Sequence, residues 1–184
     1  MFKKIENIIN HYKKWKDANP DTWIENTCKQ SDLSSAISVA TLSVNHLSKK
    51  HNHQKRLQKT NLEAFKDKLL TRQKEIHNVA DFDSLLSIIE DCKIKGVGEV
   101  ACYDIANRIG NYLNNQPEFV YLHAGTRKGL ENLLRSKVKC RYIKKSDLPE
   151  PFKSSTLTCH EIEDILCIYK DRLIKKPITH AKKT

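Results

Sequence analysis

The sequence predicts a mainly α-helical fold: a single helical domain with at most a small two-stranded β element. Three observations predict it. Apolar residues recur at helical spacing along most of the chain, as at Phe2, Ile5, Ile8, Ile9, Tyr12 and Trp15 and again at Ile162, Ile165, Leu166, Tyr169 and Leu173. Helix-opening residues stand before several of those runs, among them Asp21, Ser31, Asp81 or Asp83, and Thr158. Only two short stretches, 119–122 and 138–143, read as extended. With 184 residues, 39% hydrophobic and 30% charged, the chain suffices for one domain with a core of moderate size.

Each element follows from local chemistry. Residues 2–17 form an amphipathic helix that Asn19-Pro20-Asp21 ends, and Asp21 caps a short helix holding Trp23 and Ile24. Ser31 opens a third helix through Leu33, Ile37, Ala40, Leu42, Val44 and Leu47, and its small serines and alanines suit close packing. Residues 46–59 are polar and basic, a helix end followed by a loop. Thr60-Asn61-Leu62-Glu63 fits a capping box and opens a helix with Phe65, Leu69, Leu70 and Ile76. Two helices then follow, roughly 83–93 and 98–114, the second stopped by Asn114-Asn115-Gln116-Pro117. Thr126 caps a helix through Leu133 and Leu134; Leu148-Pro149-Glu150-Pro151-Phe152 is a rigid loop; Thr158-Cys159-His160-Glu161 is a second capping box. The domain spans 1–175, and 176–184 is a flexible basic tail.

The most telling stretch joins the two helices of 83–114. Lys95-Gly96-Val97-Gly98 places two of the chain's 5 glycines one residue apart, with the small residues Ala101 and Cys102 just inside the second helix. Glycines are needed where backbone approaches a phosphate with no Cβ in between, and the first N–H groups of a helix lack partners and favour an anion. This pattern resembles the helix-hairpin-helix motif of DNA-binding and DNA-repair proteins, over about 30 residues of the chain. The resemblance implies contact between DNA phosphates and Gly96, Val97 and Gly98, with charge from Lys95.

The hairpin, followed by a proline and an apolar segment, is also distantly similar to the DNA glycosylase superfamily. In those enzymes a catalytic Asp ends that segment, and the lyase members carry a Lys two residues after the second glycine. Here Leu122 and Val100 occupy those positions. A four-cysteine iron–sulfur run is missing as well. The resemblance therefore implies binding without base excision.

Net charge is +11, which favours a polyanionic partner. Residues 81–115, the hairpin unit, carry 3 Lys/Arg against 6 Asp/Glu, so attraction must come from its flanks. One flank is 127–145, with 8 Lys/Arg against one acid; there His123, Thr126, Arg127 and Lys128 form a second anion-friendly arrangement beside a helix start. The other is 46–74, with 9 Lys/Arg against 2 acids, where Lys49, Lys50, Lys55 and Arg56 extend the track. The expected partner is DNA, held by its phosphate backbone with little base readout.

Other chemistries are less well supported by the residues. His46, His51 and His53 offer imidazoles, but further ligands at short range are missing, so no metal is expected. Glu161, Glu163 and Asp164 resemble a divalent-metal nuclease cluster, yet acids in a first helical turn are what the helix dipole favours in any protein. No Walker loop and no Ser-His-Asp or Cys-His nucleophile spacing is visible, so no catalytic residue and no cofactor is assigned. Two rivals stay open: a degenerate glycosylase-like or nuclease enzyme using His123 or the acidic cluster, and a protein-interaction module whose hairpin only packs helices. The 6 cysteines are dispersed with no CxxC pair and read as reduced thiols. No apolar run nears the ~20 residues that span a bilayer, and residues 1–6 show no signal-peptide core, so a cytoplasmic location is expected.

Overall fold

The computed structural model describes residues 2–174 and is mainly α. The expected tail at 176–184 lies outside the described residues. The chain divides into two compact units, one of residues 19–118 and one of residues 1–18 with 119–184.

The 19–118 unit runs α2 (Thr22–Cys28), α3 (Leu33–Leu42), α4 (Lys59–Thr71), α5 (Gln73–His77), α6 (Phe82–Asp91) and α7 (Glu99–Tyr112). Its centre is α7, where Ala101, Cys102, Ile105, Ala106 and Ile109 are all buried. α3, with Ala36, Ile37 and Ala40, and α6, with Phe82, Leu85, Leu86 and Ile89, pack on α7, and α4 packs on α3 with Leu62, Phe65 and Leu69 buried; all have exposures from 0 to 2%. Small side chains on α3 and α7 let those helices approach closely, and burying each large apolar side chain contributes about 1.5–3 kcal/mol.

The other unit holds α1 (Phe2–Ala18), β1 (Val120–Tyr121), α8 (Ala124–Leu134), β2 (Tyr142–Ile143) and α9 (Cys159–Ile168). β1 and β2 pair antiparallel, Val120 opposite Ile143 and Tyr121 opposite Tyr142. Ile5, Ile8, Ile9 and Tyr12 of α1 pack with Leu130, Leu133, Phe152, Ile162, Ile165 and Leu166 in one apolar cluster. Phe2 and Trp15, at the edges of the α1 stripe, remain 50% and 43% exposed, so the buried stripe is narrower than the apolar pattern. Gly129 allows α8 to lie against α9: a Cβ there would stand 1.9 Å from the Leu166 carbonyl oxygen.

Caps fall partly where the sequence places them. Asp21 accepts from Trp23 N and Ile24 N, Asp81 accepts from Ser84 N, and Thr158 with Glu161 forms a reciprocal capping box. Three others move. The third helix is capped by Asp32, whose carboxylate takes Ser35 N, while Ser31 donates to Asp32. It also stops at Leu42 rather than reaching Leu47, because Ser43 turns left-handed (φ 55°). At α4 the helix begins at Lys59, so Thr60 lies inside the first turn and its capping box does not form. At α8 the cap position is His123, which puts Thr126 in the first turn, where it is fully buried.

Candidate nucleic-acid interface

The hairpin turn is built by α6 ending at Asp91 and α7 starting at Glu99. Val97 anchors it: the side chain is buried and its N–H donates to Ile94 O at 3.1 Å. Gly96 has φ +92°, a conformation L side chains rarely adopt, and a Cβ there would stand 2.9 Å from Asn61 Nδ2. Asn61 also donates to Lys95 O at 3.3 Å, tying α4 to the turn. Gly98 is the α7 cap residue, exposed, with extended backbone (φ −88°, ψ 170°) and no side chain to cap the helix. A Cβ built on it meets nothing within 4 Å. The first α7 hydrogen bond from the following turn is Cys102 N to Gly98 O, so the amides before it lie at the open end of the helix. Lys93 and Lys95 are exposed beside the turn, and so is Glu99, an acid in that same first turn.

The 43–57 loop belongs to the same unit and is joined to α7 by a buried polar network. Arg108, 3% exposed, donates to Ala40 O at 3.2 Å and Ser43 Oγ at 2.8 Å, and reaches Gln54 Oε1 at 3.5 Å. Gln54, fully buried, donates to Asp104 Oδ2 at 2.9 Å. His53 Nδ1 lies 2.8 Å from the same oxygen. Burial alone would push the Asp104 carboxyl up; the His53 hydrogen bond and the Arg108 charge outweigh it and hold the group below its ordinary range. Of the loop's expected cations, Lys49, Lys55 and Arg56 are exposed, whereas Lys50 is half-buried and donates to Leu57 O at 3.5 Å.

The expected clamp at 123–128 sits in the other unit and is mostly occupied by structural contacts. Thr126 does not cap α8; its hydroxyl donates to the Glu163 carboxylate. The Arg127 guanidinium donates to Val138 O, Cys140 O and Leu122 O at 2.9, 2.7 and 2.8 Å. That side chain pins the 138–140 segment, which precedes β2, so it does not reach out to a phosphate. His123 is buried. Lys128 alone of the four is exposed. Within the basic 127–145 flank that the sequence marks, Arg135, Lys139 and Lys144 are exposed, and Tyr142 stacks on Phe119 with ring centroids 4.5 Å apart.

The acidic cluster on α9 is likewise engaged. Glu161 accepts from Thr158 N at 2.8 Å and pairs with Lys16 at 2.9 Å, Glu163 takes Thr126, and Asp164 accepts the Tyr12 hydroxyl at 2.8 Å. All six cysteines are free, with Cys28 and Cys140 exposed. Among the described residues no helix is long and apolar enough to cross a membrane. Set against known protein families, curated proteins and solved structures, the chain matches none of them.

Proposed function

We propose that this protein binds DNA without chemistry, contacting the phosphate backbone through the turn between α6 and α7. The observation that carries the reading is Gly98: exposed, at the head of a 14-residue helix, with open space where a Cβ would stand. A phosphate oxygen placed there meets backbone N–H groups and the positive end of the helix dipole. Lys95 and Lys93 add charge beside it, and Lys49, Lys55 and Arg56 add exposed cations within the same unit.

Charge is divided sharply between the units. Residues 19–118 carry 13 Lys/Arg and 13 Asp/Glu, whereas the remaining residues carry 20 against 9, the whole of the net +11. In this reading the hairpin supplies geometry, and the exposed cations of its own unit, Lys49, Lys55 and Arg56, supply salt-sensitive attraction. The even balance of 19–118, with Glu99 at the hairpin itself, favours the rival in which the turn only packs helices and the partner is a protein.

Gly98→Val separates the two. The backbone at Gly98 is extended and its surroundings are open, so valine fits and the far-UV spectrum stays that of the parent chain. Its side chain blocks the phosphate, and losing hydrogen bonds to a charged group, about 1.5–3 kcal/mol, lowers DNA affinity by roughly 10- to 100-fold. Fluorescence anisotropy with labelled duplex, single-stranded and branched DNA at low and physiological salt reads this out. Equal affinity of the two proteins, with intact spectra, would overturn the reading.

A further inference from the structure

We propose that His51, His53 and Asp104 form a binding site for one divalent transition-metal ion of the zinc class. Asp104 comes from α7 and the two histidines from the 43–57 loop, and one ligand atom from each residue lies within 4.8 Å of the others. His53 Nδ1 and His51 Nδ1 stand 2.8 and 3.7 Å from Asp104 Oδ2. A tetrahedral ion with bonds of about 2.0–2.1 Å places its donors roughly 3.3 Å apart, so small side-chain rotations bring the three together. Two imidazoles and one carboxylate are the donor set that a borderline cation takes, with the remaining position open to water. His53, its side chain 52% exposed, puts that open side toward solvent.

Neighbouring side chains hold the three residues in place. Gln54, fully buried, stands between two of the ligands, its Oε1 3.0 Å from His51 Nδ1 and its Nε2 donating to Asp104. The Gln54 amide fixes the Asp104 carboxylate as an outer partner does, whereas an ion bound at His51 Nδ1 would replace Gln54 Oε1 there. The loop itself is closed: His51 N donates to Ser43 O at 3.0 Å, and Asn45 Oδ1 accepts from Leu47 N and Lys49 N. Trp23 packs edge-on against His51 at 4.8 Å and donates to Lys49 O at 3.0 Å. The Arg108 charge near the site opposes a second cation and weakens binding.

The proposal does not depend on DNA binding, and its test reads the ion directly. The full-length reduced chain is stripped with chelator and titrated with Co²⁺, followed by visible absorption, with Zn²⁺ as competitor. One equivalent of Co²⁺ is expected, with the visible bands of a nitrogen–oxygen site and no thiolate charge-transfer band, displaced by Zn²⁺. His53→Ala should weaken binding at least tenfold, by analogy with losses from outer-shell partners alone. The metal-free variant should keep the far-UV spectrum of the parent, so that the loss reads ligation and not unfolding. Absence of visible bands up to about 1 mM Co²⁺, a thiolate band, or undiminished binding by His53→Ala would each overturn the proposal.

Discussion

Arg108 is the residue whose removal should most clearly reveal how the 19–118 unit is held together. Its guanidinium is buried with 3% exposure and joins α3, the 43–57 loop and α7 through Ala40 O, Ser43 Oγ and Gln54 Oε1. Arg108→Met keeps much of the volume but removes the charge that faces Asp104. Breaking a buried pair by deleting one partner costs about 3–5 kcal/mol. The low end applies here, about 3 kcal/mol, because the Asp104 side chain is 14% exposed and keeps its bonds to His53 and Gln54. Adding Asp104→Asn removes the uncompensated charge, and the double variant should recover at least about half of the deficit, since replacing a whole buried pair is often neutral. Urea unfolding measures this. With a slope of about 1–3 kcal/mol/M, the single variant should lower the midpoint by roughly 1–3 M. Each unit holds one tryptophan, Trp15 or Trp23, so a Trp15→Phe background makes fluorescence report the 19–118 unit alone. A destabilisation under about 1 kcal/mol for Arg108→Met would refute the reasoning. Strictly additive effects in the double variant would refute it equally.

Two further outcomes test the packing and the caps. Gly129→Ala should destabilise by about 3 kcal/mol or more despite alanine's better helix propensity, because the new Cβ would stand 1.9 Å from Leu166 O; a thermal midpoint at or above the parent's would contradict the close approach of α8 to α9. Asp81→Ala should cost about 1 kcal/mol at pH 7. The Ser84 backbone N–H, then its hydroxyl, holds the Asp81 carboxyl below its ordinary value. A depressed carboxyl stabilises the fold fully above the unfolded value near 4 and loses that contribution as pH falls through the folded value. The difference between Asp81→Ala and its parent should therefore shrink below about pH 4; a difference independent of pH would reject the cap as its source.

What was legible in the sequence was what short range decides. The helical period placed the bodies of the helices, and Asp21, Asp81 and Thr158 cap where their side chains reach an amide two or three residues on. The misses come from long range. α3 ends five residues before Leu47 because Ser43 turns left-handed, and its hydroxyl and the Ala40 carbonyl take hydrogen bonds from Arg108, 65 and 68 residues away. Thr126 and Arg127 read as a clamp for an external anion, yet each found its partner inside the protein, in Glu163 and in three backbone carbonyls. Asp104 illustrates the same limit from the other side. His51 and His53 were visible as imidazoles lacking a third ligand, and the carboxylate that meets them lies 51 residues beyond His53 with no local signal to mark it.

The DNA reading has a consequence that a packing turn does not share. If Gly98 supplies a local hydrogen-bonding site and the exposed cations of the same unit supply attraction, the two contributions respond differently to salt. Removing one cation that neutralises a phosphate should reduce the slope of log affinity against log salt by about 0.9 for duplex DNA. Lys55→Glu and Arg56→Glu, both at exposed positions, should therefore flatten the slope by roughly 1 each or more and converge with the parent protein at high salt. Gly98→Val removes backbone hydrogen bonds and no formal charge, so its deficit should persist at every salt concentration with the slope nearly unchanged. A parent protein whose affinity collapses at physiological salt, with no offset between it and Gly98→Val, would assign all binding to non-specific charge. The α6–α7 turn would then be a helix junction, and the balanced surface of residues 19–118 the place to look for a protein partner.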